Sequence, residues 1–207
     1  MTTAEPASHG EDPLFSNGAE LKELHHRNID FRGYMRSDGY FQVRARLADE
    51  RPVGSLQPES SPSTNETEKI HALGVDIIFD AQMIVRAVRT WSATYPYKEC
   101  PSGGNALQAI IGLRIGAGWS SEVRKRLPGA GVCTHLKEIL IPMASAAYQT
   151  MTFQRLRQPD VLNESGRPIK IDSCYAYRAS GELVQKRWPQ FHNPEVKQNE
   201  EGKLGTA

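Results

Sequence analysis

The stretch that decides the fold is "NIDFRGYMRSDGYFQVRARLAD", residues 28–49. Apolar and polar residues alternate along both of its halves, and Asp38-Gly39 lies between them. Alternation with a period of two is typical of a strand with one buried face, and Asp-Gly is a strong signal for a hairpin turn. The stretch therefore predicts two antiparallel strands, with one face in the core and the other in solvent.

A second pair of strands is predicted from "KIHALGVDIIFD" and "AQMIVRAVRTWSA", residues 69–80 and 81–93. Alternate apolar residues from Leu73 to Phe79 share one face of the first of these strands. By the same parity, His71 starts that inward face. The two pairs together predict an antiparallel sheet built from hairpins.

Helices are predicted in the second half of the chain. Apolar residues recur every three or four positions from Leu136 to Met151, which predicts an amphipathic helix over 135–157. A last hairpin is predicted around Ser180-Gly181, where it could add an edge strand. The order of strands, then helices, then a small hairpin indicates an α+β fold, whose sheet is packed on one face by the long C-terminal helix and by shorter helices.

The polar segments set the predicted domain limits. Residues 1–19 and 191–207 lack periodicity and predict disordered tails. The Ser/Pro-rich stretch at 50–69 predicts a long mobile loop. A single α+β domain is predicted over 20–190.

Charge and composition exclude several classes of function. The 25 Lys and Arg residues against 24 Asp and Glu give a net charge of +1, so no overall field favours nucleic acid. No apolar run approaches the roughly 20 residues of a membrane span, and the acidic N-terminus does not resemble a signal peptide. The three cysteines are an odd number without close pairing, which predicts free thiols and a cytoplasmic location.

The strongest candidate site lies in "GAGVCTHLKEILIPMASAAYQTM", residues 129–151, where a glycine-rich loop is predicted to become the long helix. Thr134 is predicted as the N-cap, with Glu138 in the first turn. The positive end of the helix dipole favours a Cys133 thiolate and a neutral His135, which could accept a proton. A packed thiol and a hydrogen-bonded core histidine explain the same residues equally well.

The other histidines and cysteines lack the sequence spacing that is typical of metal sites. At the start of the first strand neighbouring residues point to opposite faces, so at most one of His25 and His26 can face the core. His26, His71, Cys100, Cys133 and His135 could converge in space, but the chain has no CxxC, HxxxH or HExxH pair. The sequence therefore predicts no metal site.

Several separated stretches together resemble the bacterial family of domain of unknown function 2889, over about residues 22–189. They are "HHRNIDFRGYMRSDGYFQVRARLAD", "IHALGVDIIFD", "YPYKECP", "GLRIGAGWSSEVRKRLPGAGVCTHLKEIL" and "DSCYAYRASGELVQKRWP". The family-like positions are His26, Arg27, Asp38, Gly39, Asp49, His71, Cys100, Gly112, Gly118, Trp119, Cys133, Thr134, His135 and Leu136. The resemblance implies a small cytoplasmic protein linked to the catabolism of aromatic and lignin-derived compounds. The "ALGV" after His71 departs from the family pattern.

The first hypothesis for function is a lyase that needs no cofactor and removes a hydroxymethyl group from a lignin-derived aromatic compound as formaldehyde. Such a reaction needs a base for the alcohol proton and an acid for the leaving group. His135 is predicted as the base, and His71 or Tyr97 as the proton donor. Cys133 is an alternative nucleophile, although a packing role suits it better.

The predicted substrate-binding residues surround this pair. Arg27 is expected to steady a phenolate and Trp119 to pack on an aromatic ring, with His26 and Glu138 completing the set. The predicted partner is a small aromatic substrate, and the chain could form a homodimer. The alternative hypothesis is a non-catalytic module that binds such a compound, or a partner enzyme, and supports an aromatic-catabolic pathway.

Overall fold

The computed structural model describes residues 18–53, 67–155 and 157–194. Within those ranges the strands are β1 (His26–Met35), β2 (Phe41–Pro52), β3 (Thr67–Phe79) and β4 (Val85–Thr94). The α-helices are α1 (Trp119–Arg126), α2 (Thr134–Thr150), α3 (Thr152–Arg155) and α4 (Glu182–Arg187). The 3₁₀ segments are Cys100–Ile110, Gly129–Gly131, Tyr175–Tyr177 and Pro189–Phe191. The predicted α+β class is confirmed.

The four strands form one antiparallel sheet in the order β1-β2-β3-β4. Both predicted hairpins of this sheet are present, and Gly39 closes the first with a φ of 84°, which glycine adopts without strain. The register places Arg27 of β1 opposite Asp49 of β2, and Asp49 opposite His71 of β3. Three polar residues on adjacent strands therefore form one row near the end of the sheet.

One face of the sheet and the buried stripe of α2 form the core. Because β2 and β3 alternate strictly, every second side chain points to the helices and leaves water. At Gly33 of β1 a side chain would overlap the side chain of Thr150, so the end of α2 lies directly on the strand. The buried apolar residues of β2, β3 and α2 are Phe41, Val43, Ala45, Leu47, Leu73, Val75, Ile77, Phe79, Leu136, Ile139, Leu140, Met143 and Ala147.

The start and end of α2 differ from the prediction. Cys133, not Thr134, is the N-cap, since its backbone is extended and its N–H donates to the carbonyl of Gly103 at 3.1 Å. Glu138 consequently lies beyond the first turn. The helix ends at Thr150, whose hydroxyl donates to the carbonyl of Ala146, and not at residue 157.

The predicted C-terminal hairpin is wrong. Gly181 is the N-cap of helix α4 and not a turn residue, and Tyr175–Tyr177 is a 3₁₀ segment. Glu182 lies in the first turn of α4, and Lys186 and Arg187 lie in the last. These charges complement the helix dipole, so they favour a helix where the Ser-Gly pair suggested a turn.

The chain divides into two compact units, Met1–Met151 and Thr152–Ala207. The first holds the sheet, α1 and α2. In the second, Ile171, Val184 and Trp188 form a small core of their own. The prediction of a single domain over 20–190 stays a prediction.

The long loop predicted at 50–69 is shortened from both ends. β2 extends to Pro52 and β3 begins at Thr67, and the Nε–H of Arg51 donates to Glu68 at 2.9 Å across the two strands. Opposite charges facing each other across a strand pair stabilise this extension. The rest of that loop and most of both predicted tails lie outside the described residues.

Among the helices of the described ranges, none combines the length and apolar composition needed to cross a bilayer.

Candidate functional site

A buried carboxylate, Asp49, lies at the centre of the candidate site. Its Oδ1 accepts from Arg27 Nε at 2.7 Å, and its Oδ2 accepts from Arg27 Nη2 at 2.8 Å. His71 Nδ1 lies 2.9 Å from the same Oδ2, and His25 Nε2 lies 3.3 Å from Oδ1. Both carboxylate oxygens are therefore contacted from two sides.

Two histidines meet above this carboxylate. His71 comes from β3 and is largely buried, with 12% of its side chain exposed. His135 comes from the first turn of α2, and the two ring centroids are 4.1 Å apart with an interplanar angle of 43°. The start of α2 thus places the imidazole of His135 in contact with that of His71 on the sheet.

Arg27 connects the sheet to the helix. Besides its two bonds to Asp49, its Nη1 donates to Oε2 of Glu138 on α2 at 3.1 Å. Glu138 follows His135 by three positions, so both side chains lie on the same side of the helix. We refer to Arg27, Asp49, His71, His135 and Glu138 as the histidine cluster.

Charge and burial set the protonation states in the histidine cluster. The Arg27 guanidinium, followed by the His71 contact, lowers the pKa of Asp49 to about 2 despite its burial. Burial lowers the pKa of His135 below its ordinary value, and His71 and Arg27 lower it further. Near neutral pH the cluster therefore holds an ionised carboxylate and a neutral His135.

Asp49, His71 and His135 also have the ligand types of a metal site, with ligand atoms that all lie within 4.8 Å of one another. The bidentate bond to Arg27 argues against direct ligation by Asp49, since it occupies one lone-pair direction on each oxygen and places a full positive charge beside them. This arrangement suits proton transfer better than cation binding.

Four of the predicted site residues belong to the cluster and four lie elsewhere. His71, His135, Arg27 and Glu138 come together as described. His26 is exposed and pairs with Glu50, next to Arg27 on the strand, so it points to the other face.

The remaining predicted residues have different surroundings. Tyr97 is 70% exposed and lies before the 3₁₀ segment that starts at Cys100. Trp119 is buried, and its indole N–H donates to the carbonyl of Leu140 at 2.8 Å, which is a core contact. Cys133 is half-buried, caps α2 and packs against the core.

Asp49 and His25 are the members of the site that sequence reasoning missed. A signal for Asp49 was present, because it extends the inward parity of Phe41, Val43, Ala45 and Leu47 by one more step. A charged residue at an inward position needs a partner, and that requirement marks a site. His25 precedes the strand and has no such signal.

The fold and the cluster define an α+β protein with a histidine pair set on a buried carboxylate. A family model described as a protein of unknown function (DUF2889) matches residues 25–149, which include every member of the cluster. This match covers more than half of the 207 residues, and the chain belongs to that family. The resemblance expected from the sequence is confirmed over this range. No curated protein and no solved structure matches the chain.

Proposed function

We propose that the protein is an enzyme that uses His71 and His135 as an acid–base pair on a small molecule. The observation that carries the proposal is the contact between the two imidazoles at 4.1 Å, with only one of them bonded to the ionised Asp49. Paired titratable groups in unlike surroundings are the usual way to keep an acid and a base together at one pH.

The surroundings assign one role to each histidine. His135 is the base, because burial and the Arg27 charge favour its neutral form. We assign the acid role to His71, whose Nδ1 is hydrogen-bonded to the carboxylate of Asp49. The two rings therefore have different neighbours, and we assign proton uptake to His135 and proton release to His71.

The proposed reaction is cleavage of a carbon–carbon bond in a lignin-derived aromatic compound, with release of formaldehyde and no cofactor. His135 takes the proton of the hydroxymethyl group, the bond from that carbon to the side chain breaks, and formaldehyde leaves. The electron pair forms a carbon–carbon double bond conjugated with the ring, and a phenolate or hydroxide departs from the adjacent carbon with a proton from His71. No oxidant or reductant is needed, since one proton is taken up and one is given back.

The proposed substrate class rests on the link to aromatic catabolism that the family resemblance implies, and the proposed reaction type rests on the acid–base pair. The free thiols of Cys100, Cys133 and Cys174 support a reducing compartment, and therefore the cytoplasm.

The test is release of formaldehyde, with mass spectrometry of the co-product, from a panel of aromatic dimers that carry hydroxymethyl groups. We expect wild-type turnover, and a loss of about 10²- to 10⁴-fold in His135→Gln and in His71→Gln. Arg89→Gln is the matched control, since that side chain is 72% exposed and bonds to a carboxylate on the opposite face of the sheet. Turnover at the wild-type level by either histidine variant would overturn the proposal. Saturable binding of a panel member without turnover would assign the chain to the alternative class, a binding or accessory module.

A further inference from the structure

We propose that Arg27 is the positioning residue of the histidine cluster, which sets the tautomer of His71 and the placement of His135 and does not bind substrate. The inference rests on the proposed function and deepens it, because it names the atom at which His71 exchanges its proton. Arg27 is hydrogen-bonded both to the strand carboxylate of Asp49 and to Glu138 on the helix.

The hydrogen bond to Asp49 determines which ring nitrogen of His71 carries a hydrogen. Arg27 bonds to both oxygens of Asp49 and keeps this carboxylate ionised, so the carboxylate can only accept hydrogen bonds. His71 Nδ1, at 2.9 Å, must therefore carry a hydrogen and donate it. In a neutral imidazole this leaves the lone pair on Nε2. The exchangeable proton of His71 consequently belongs to Nε2, the nitrogen that Asp49 does not contact.

Arg27 also contacts the helix that carries His135. The same guanidinium uses its Nη1 to bond Glu138, one turn after His135 on α2. A single planar group thereby contacts the carboxylate that orients one histidine and the helix that carries the other. A lysine ammonium is a point charge on a flexible stem and cannot keep both contacts in a fixed geometry.

The hydrogen bonds of Arg27 favour a positioning role over the binding of a substrate phenolate. Nε, Nη1 and Nη2 of Arg27 each already donate to a carboxylate oxygen. Its single positive charge faces the two negative charges of Asp49 and Glu138. A phenolate at this place would meet a region that is already negative, so the guanidinium is suited to holding the protein's own groups.

The test uses long-range ¹H–¹⁵N NMR of histidine rings in wild-type protein, in Arg27→Lys and in Arg27→Gln. We expect Nδ1 of the wild-type His71 to carry a hydrogen whether or not Nε2 is also protonated, and Arg27→Gln to show the Nε2–H tautomer as well, because the guanidinium that holds Asp49 ionised is absent. In the formaldehyde assay, Arg27→Lys should lower kcat by about 100-fold with KM nearly unchanged, because the reacting groups are misplaced by a fraction of a bond length or more. Arg89→Gln serves as the control for removal of an arginine from a buried aspartate.

Two results would contradict the positioning role of Arg27. A rise in KM with unchanged kcat and an unchanged His71 tautomer would overturn the inference and return Arg27 to a substrate-binding role. An Nε2–H tautomer in the wild type would also overturn it. If no panel compound is turned over, the proposed function fails, and the NMR spectra still decide whether Arg27 sets the tautomer. If Arg27→Gln does not fold, Arg27→Lys keeps the charge, and its kcat and KM relative to wild type carry the comparison.

Discussion

The sheet buries two aspartates, one on each face. Asp49 of β2 points to the helix side and is 1% exposed, whereas Asp76 of β3 points to the opposite side and is 5% exposed. Each is bonded by arginine. Asp76 accepts from Arg44 Nε at 3.0 Å and from Arg89 Nη2 at 2.5 Å, and Asp49 accepts twice from Arg27.

The two sites differ in whether their partners can exchange a proton. Both partners of Asp76 are guanidiniums, which stay charged at every physiological pH, so that site is a fixed ion cluster. Asp49 shares one oxygen with His71, and His71 contacts a second imidazole. Burial of a carboxylate alone therefore does not mark a functional site, whereas a titratable partner that touches another titratable group does.

The largest expected difference between the two aspartates is in activity. Asp49→Asn should lower kcat/KM for formaldehyde release by about 10²- to 10⁴-fold, since an amide does not fix the His71 tautomer. Asp76→Asn should stay within about threefold of wild type, because Asp76 lies across the sheet from the histidines and its carboxylate accepts from Arg44 and Arg89. The measurement is steady-state kinetics of both variants on one substrate. Similar losses in the two would show that the comparison reflects stability and not chemistry.

The sequence predicted the fold better than the site. Alternation from Phe41 to Leu47 and the Asp-Gly turn were sufficient for the first hairpin, because period and turn chemistry are local properties. The C-terminal hairpin was wrong since α4 has six residues, too few for a helical period to be visible beside a Ser-Gly pair.

For the site, the parity of β3 and the start of α2 indicated His71 and His135, and the structure brings them into contact. The role of Arg27 could not be predicted in the same way. It depends on the register that places Arg27 opposite Asp49, and on the tertiary contact with Glu138, 111 residues further along the chain. Neither is a property of local sequence.

A smaller effect of Asp49 is expected on the free energy of unfolding at acid pH. The pKa of Asp49 is lowered from 3.8 to about 2 in the folded protein, so on acidification the unfolded chain takes up this proton first. The stabilisation is complete above pH 4 and is lost as the pH falls through about 2, and its size is about 2 kcal/mol. Urea unfolding between pH 4 and pH 2 should therefore show the wild type losing about 2 kcal/mol more than Asp49→Asn loses. Parallel curves for the two proteins would contradict the charge state assigned to Asp49.

The smallest expected effect is on the titration of His135, which tests whether the helix-side arginine differs electrostatically from those on the other face. Arg27 is one of the charges that lower the pKa of His135, although burial is the larger cause. In Arg27→Gln the pKa of His135 should rise towards its ordinary value of 6.5 without reaching it, because burial by α2 and β3 remains. Arg89→Gln should leave the titration unchanged, since Arg89 bonds to Asp76 on the opposite face. Titration of the histidine ring carbons by NMR measures both variants. An equal rise in the pKa of His135 in both variants would mean that His135 responds to the net charge of the whole protein. The Asp49 and Asp76 sites would then be separate in structure but not in electrostatics.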